Sequence, residues 1–370
     1  MIGATLSLTG SLSGLGPPVE AGYEQEIADV NAAGGVTVGG QKDKLKLVVL
    51  DNASDPSTAS NQARELVRHD HAAALLGSTT SLIITPTALT AERLRIPFVT
   101  SLMPVEAFAS GDKDGWKYSW DFFFDEKKQA ATAAKALAAA KSNKKVVLFT
   151  DSQRDCVVER PLYEAAFKAA GLDVVGDYTF PVGTTDYSSF IADARAEGAQ
   201  LLVGQMTAAD GVALWKQLKS SAFRPRAAFL ASGSDADNWW QSLGTVAQDS
   251  LSEAFWSPSE ATAAQLAKIT PTLGKKYASS PNYPAAVVAY AAAEVLTDAI
   301  SRAGSTDPGK LNTAIGQSRV PTTAGLITFN PETHTGVTPY YITQWQNGQL
   351  VQVQPAVSGV TYEQPTAGLG

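Results

Sequence analysis

Short apolar runs recur along the chain at 2–8, 45–50, 72–77 and 97–101, and again at 145–150, 173–180, 199–204 and 227–231, with amphipathic stretches between them. Alternation of this kind predicts strands followed by helices, and hence parallel sheets covered on both faces. After Pro17 and Pro18, residues Val19, Tyr23, Ile27 and Val30 fall on one face at helical spacing, and Gly34 with Gly35 supplies a stop. A second helix is predicted from Asp55 and Pro56, with proline in its first turn, through Ala59, Ala63, Leu66 and Val67 toward His69. The aromatic run from Trp116 to Phe124 interrupts this rhythm between two series of units, and a crossover between lobes is expected near it. Beyond 250–256 the pattern changes again. Long helices are predicted over roughly 260–276, 284–303 and 308–317, then an apolar run from Gly325 to Phe329 and two strand-like runs, 339–345 and 349–354, turning at Asn347 and Gly348.

Composition bears on this picture in three ways. At 370 residues with 44% hydrophobic content, the chain exceeds what one core usually holds, so two lobes are expected. A net charge of −7, with 29 Lys and Arg spread thinly, offers no basic stripe for nucleic acid and no polybasic patch for anionic membranes. The expected partner is a small molecule or a protein. Cys156 stands alone, so neither an intrachain disulfide nor a cysteine metal cage can form. No run of about 18 apolar residues stands out, and the chain reads as soluble. Met1 opens directly on an apolar run with no charged segment before it, which fits either a native start there or prior removal of an export signal.

In an open parallel sheet, ligands sit beyond the carboxyl ends of the strands. The loops there run from Thr9 to Gly16, from Asn52 to Pro56 and from Gly77 to Ser81. The third carries four hydroxyl residues at a predicted helix start, where unpaired amides and the helix dipole favour an anion such as a carboxylate. The same hydroxyls also suit helix capping. In the second half, the equivalent loops are 151–155, 205–208 and 232–235; Asp155 or Asp235 would suit a ligand ammonium group or, equally, a helix cap.

Catalytic constellations are weak. Only three histidines occur, and His69 with His71 sits at a helix-to-strand connection. Gly10 to Gly14 has Leu12 where a nucleophile elbow needs serine, and Gly14 to Val19 lacks the third glycine of a dinucleotide fingerprint. No enzyme activity, cofactor or metal is expected.

Taken in order, Leu8 to Gly10, Gly22 to Gly35, Leu47 to Asp51 with Asp55 and Pro56, Ala63 to Val67, Leu76 and Gly77 with Ser81, and Arg95 to Val99 resemble the type I periplasmic binding proteins of the leucine/isoleucine/valine-binding family. Looser matches follow at Val147 to Asp151, 190–198, Gly325 to Phe329 and Asn347 with Gly348. The resemblance implies an α/β fold of two Rossmann-like lobes with parallel-sheet cores joined by a three-strand hinge, one from 1–120 plus 252–328 and the other from 121–251 plus 329–370. It implies an extracytoplasmic solute-binding component of an ABC importer, free in the periplasm or anchored at the cell surface as a lipoprotein. Such a protein is expected to be a monomer that captures a small carboxylate between its lobes and delivers it to a membrane permease. A ligand-sensing domain of a receptor or regulator with the same fold is the alternative.

In this family the serine four residues after the glycine that ends the third strand holds the ligand carboxylate, a place that Ser81 occupies here after Gly77. The other ligand-binding positions expected, from this resemblance and from the loops and aromatic run above, are Leu15, Thr80, Leu102, Met103, Trp120, Asp155, Met206, Thr207, Ser234 and Asp235. Several depart from the family's pattern: Leu15 stands for a tyrosine, Leu102 and Pro104 for a small residue and a threonine, Met206 for a tyrosine, and Gly233 for an acidic residue. The family's first-lobe disulfide is replaced by Ser54 and Thr80. These changes exchange polar partners for apolar ones, so an aromatic or otherwise apolar acid is expected alongside branched-chain amino acids.

Overall fold

A computed structural model describes residues 1–152, 154–231, 233–235 and 237–364, with the backbone alone at 154, 155, 237 and 238. The chain forms two compact units, Met1–Asp125 with Glu260–Pro339 and Glu126–Ser259 with Tyr340–Gly370.

In chain order the strands are β1 (Ile2–Leu6), β2 (Val36–Val38), β3 (Gln41–Asp43), β4 (Leu47–Asp51), β5 (Ala74–Leu76), β6 (Phe98–Thr100), β7 (Ser119–Phe123), β8 (Lys145–Asp151) and β9 (Asp173–Phe180). They continue as β10 (Leu201–Gln205), β11 (Ala227–Leu230), β12 (Leu251–Ala254), β13 (Arg319–Thr322), β14 (Gly325–Thr328), β15 (Thr335–Val337), β16 (Tyr341–Gln346) and β17 (Gln349–Gln354).

The first unit holds an all-parallel sheet in the order β15-β7-β6-β5-β1-β4. Helix Gly16–Ala32 packs against Tyr283–Ala303, and helix Pro56–Arg68 against Thr80–Leu94. Asp55 caps the Pro56–Arg68 helix by accepting from Thr58 N at 2.6 Å, as its sequence predicts. Tyr283–Ala303 is long and apolar enough to cross a bilayer by length and composition, a property that a scan for unbroken apolar runs overlooks. Most of it is buried inside this unit, where it serves as a core helix. The helix predicted over 260–276 breaks after Ile269, because Pro271 has no N–H to continue the ladder and a π turn follows over Thr270–Gly274.

The second unit holds the order β17-β16-β12-β11-β10-β8-β9, parallel from β12 through β9 and antiparallel at β16 and β17. Its core gathers Phe149, Tyr187, Trp215, Trp239 and Trp345, each no more than 2% exposed. Asn347 and Gly348, both at positive φ, make the turn between its last two strands.

The chain passes between units at 125–126, 259–260 and 339–340, whereas the sequence placed the boundaries at 120–121, 251–252 and 328–329. Pairing is the reason: β7 joins the first sheet beside β6 and β15 beside β7, while β12 joins the second beside β11. The segments 121–125 and 329–339 therefore belong to the first unit, and 252–259 to the second.

Candidate functional site

Each sheet has a topological switch point, where neighbouring strands send their connections in opposite directions and leave a crevice beyond their carboxyl ends. In the first unit β1 and β5 are neighbours, yet the chain leaves β1 toward β4 and leaves β5 toward β6. In the second unit the same relation holds between β8 and β10, with connections toward β9 and β11.

In the first unit the loop after β1 is tied down by Asp51. Its carboxylate accepts from Leu8 N at 3.1 Å, Thr9 N at 3.2 Å, Thr9 Oγ1 at 2.7 Å and Ala53 N at 2.9 Å. Tyr23 OH donates to Gly77 O at 2.9 Å and holds the loop after β5. Helix Thr80–Leu94 starts there, and Thr79 at its N-cap makes no side-chain cap. The hydroxyls of Ser78, Thr79 and Thr80 are buried without a hydrogen-bond partner among the described residues, as is that of Thr100 at the end of β6. Thr80 also holds a φ of 64°, a conformation that non-glycine residues avoid unless the surroundings impose it. Capping thus does not account for these hydroxyls. Each unpaired buried hydroxyl costs about 1–3 kcal/mol, so four in one place are a local concentration of unsatisfied polar groups.

Ser81 lies half-buried on the first turn of that helix, and Leu15 half-buried in the loop after β1. Leu102 and Met103 follow β6, buried at 8% and 2%, with Met103 Sδ accepting from Thr85 Oγ1 at 3.8 Å. Trp120 is engaged elsewhere. It points to the sheet face opposite Ser119 and Asp121, donates from Nε1 to Asn312 Oδ1 at 2.7 Å and stacks on His334 with centroids 3.6 Å apart. Strand alternation puts it in that packing rather than among the switch-point loops.

In the second unit, Thr207 caps helix Ala208–Ser220, accepting from Asp210 N at 3.1 Å and donating to Asp210 Oδ2 at 3.0 Å. Its own N–H donates to Asp151 Oδ2 at 2.9 Å. Met206 is fully buried in the core cluster. The Ser234 hydroxyl lies 3.2 Å from Leu230 O, to which it donates, and 2.7 Å from Ser252 Oγ, with which it shares a second hydrogen bond, so it is engaged inside the unit. Burial pushes the Asp235 carboxyl up to about 6, although the residue keeps part of its surface exposed. Glu253 is pushed well above the carboxylate range by burial, then by Asp235 and Glu159; its Oε2 accepts from Gln129 Nε2 at 3.1 Å and Tyr340 OH at 3.3 Å. The side chain of Asp155 lies outside the described residues.

Sequence reasoning passed over roles for Asp51, Thr100 and Asp121, whereas Ser78 and Thr79 lie in the hydroxyl loop it singled out. Asp51 and Thr100 are strand-end residues, whose roles depend on which strands are neighbours. Asp121 did carry a signal, being the one acidic residue between Trp116 and Phe124. Among the described residues, no group of three or more His, Cys, Asp and Glu is placed to hold a metal ion.

The sequence pattern of the family described as periplasmic binding protein matches residues 1–349. The chain belongs to that family. Among curated relatives, the Leu/Ile/Val-binding protein homolog 7 of Brucella abortus is 26% identical over 97% of this chain and 92% of its own length. The leucine-binding protein LivK of Thermotoga maritima superposes with a TM-score of 0.82 at 23% identity, covering 95% of this chain and 97% of its own. A solute-binding protein of an ABC transporter from Rhodopseudomonas palustris, solved with 3,4-dihydroxybenzoic acid, superposes at 0.77 with 18% identity, over 95% of each chain. Both likenesses establish the type I fold.

Proposed function

We propose that this protein is the extracytoplasmic capture component of an ABC importer, binding a small carboxylate with an apolar body and presenting it to a membrane permease. The observation that carries this reading is the loop after β5. An uncapped helix N-terminus at a switch point is surrounded by orphan hydroxyls, which offers an anion both amide donors and the positive end of a helix dipole. Ser81 and Thr80 on the first turn are the donors assigned to the carboxylate. Leu15, Leu102 and Met103 supply apolar surface suited to a branched or aromatic body. Relatives named for leucine, isoleucine and valine, and a structural neighbour holding an aromatic acid, bracket that class. Proteins of this kind work by hinge closure about a ligand rather than by chemistry.

Thermal unfolding against a panel of branched-chain amino acids, 2-oxo acids, aromatic acids, amides and sugars tests the proposal. A carboxylate at 100 times its Kd adds about 2.7 kcal/mol and raises Tm. A shift with sugars or amides and none with any carboxylate would overturn it.

A further inference from the structure

The sheet of the first unit carries a polar row just inside its carboxyl edge. Thr100 of β6 is the register partner of Asp121 of β7, so the two side chains leave the same face of the sheet. Thr100 Oγ1 lies beside Gly77, at the start of the hydroxyl loop. Both residues are fully buried, and Thr100 Oγ1 and both carboxyl oxygens of Asp121 lack any hydrogen-bond partner among the described residues. The two are register partners, yet neither side chain bonds the other. Burial also pushes the Asp121 carboxyl well above its ordinary range.

We propose that Thr100 and Asp121, continuing the row of Ser78 and Thr79, form a second polar subsite that receives a hydrogen-bonding group at the far end of the carboxylate ligand. This rests on the carboxylate reading of the Ser81 turn and extends it to a substrate class. Strands in a sheet are about 4.8 Å apart, so β6 and β7 stand roughly 5 and 10 Å from the β5 loop that takes the carboxylate. An α-ammonium is too close to its own carboxylate to reach that far. The para-hydroxyl of an aromatic acid, or the terminal amide of a longer amino acid, spans it. The ligand class is therefore an acid with a polar group at its distal end. A site with orphan polar atoms also discriminates strongly, because an analogue lacking the distal group leaves them unpaired.

Calorimetric titration of two matched pairs, benzoate with 4-hydroxybenzoate and leucine with glutamine, tests this. In whichever pair binds, the member with the distal polar group is expected to bind about tenfold tighter or more, and that ratio to fall toward one in Thr100→Val and in Asp121→Leu. Because the readout is a ratio, a variant that is merely less stable lowers both members and leaves it unchanged. A wild-type ratio near one, or a ratio that neither variant alters, would overturn the subsite and leave the carboxylate reading standing. Failure of all four acids to bind wild-type protein would overturn the carboxylate reading itself and the subsite with it.

Discussion

Thr100 Oγ1 stands 2.2 Å from where a β-carbon on Gly77 would lie, and Thr100 Cβ 2.4 Å from it. Glycine at 77 is therefore a requirement of close approach between β5 and β6, at the root of the hydroxyl loop. Gly77→Ala is expected to destabilise the protein by about 1–3 kcal/mol, since the threonine must move and its backbone cannot. A double-mutant cycle with Thr100→Gly, read by denaturant unfolding, should recover most of that loss. Additive effects would mean that the crowding lies elsewhere.

Ser81→Ala removes one hydroxyl donor from the turn assigned to the carboxylate. Hydrogen bonds to charged groups contribute about 1.5–3 kcal/mol, so carboxylate affinity should fall by about tenfold or more in titration. The unliganded protein should keep its Tm to within a few degrees, because the residue is only half-buried. Unchanged affinity would remove Ser81 from the site.

Much of the fold was legible in the sequence because local rules set it. Alternating apolar runs marked β1, β4, β5, β6 and β8 through β11 to within a few residues, and Asp55 with Pro56 marked a helix start that the structure caps as expected. Short pairings such as β2 with β3 and β13 with β14, or the addition of β15 beside β7, escaped, since three or four residues carry little periodicity and tertiary neighbours decide them. The candidate site divides in the same way. The loop of Gly77 to Ser81 was visible from composition, whereas the polar row of Thr100 and Asp121 exists only once β6 and β7 are in register. Thr207 and Ser234, expected at a ligand, have their hydroxyls engaged by Asp210 and Ser252.

Trp120 provides a contrast with the switch-point loops. Its indole is held by Asn312 and His334 inside the first unit, and its ring fills the space over Gly316. Trp120→Phe keeps much of the apolar contact and loses the hydrogen bond, leaving Asn312 Oδ1 short of a donor. A loss of about 1–3 kcal/mol in unfolding free energy is expected. Ligand affinity in the folded protein should change less than threefold, a small step on the free-energy scale of binding. A large loss of affinity at unchanged stability would return Trp120 to the site.

Glu26 and Glu294 share a single ammonium inside the first unit. Lys268 Nζ lies 2.5 Å from Glu294 Oε1 but 3.6 Å from Glu26 Oε2, while Glu294 also accepts from Thr323 N at 2.7 Å and Oγ1 at 2.8 Å. Glu26 accepts from Thr297 Oγ1 at 3.0 Å, and burial, only partly offset by Lys268 and by hydrogen bonds from Tyr290 and Thr297, pushes its carboxyl from 4.5 up to about 7. Between those two values the folded protein holds a proton that the unfolded chain has released, so stability falls as pH rises through that window. Glu26→Gln cannot ionise and removes this one contribution, whatever the other titrating groups do. The variant's unfolding free energy relative to wild type should therefore improve from pH 4.5 to pH 8 by up to about 3 kcal/mol. Denaturant unfolding of both proteins at several pH values across that range measures the difference. A difference independent of pH would mean that Lys268 keeps Glu26 ionised throughout, and that the two carboxylates share their counterion more evenly than the distances indicate.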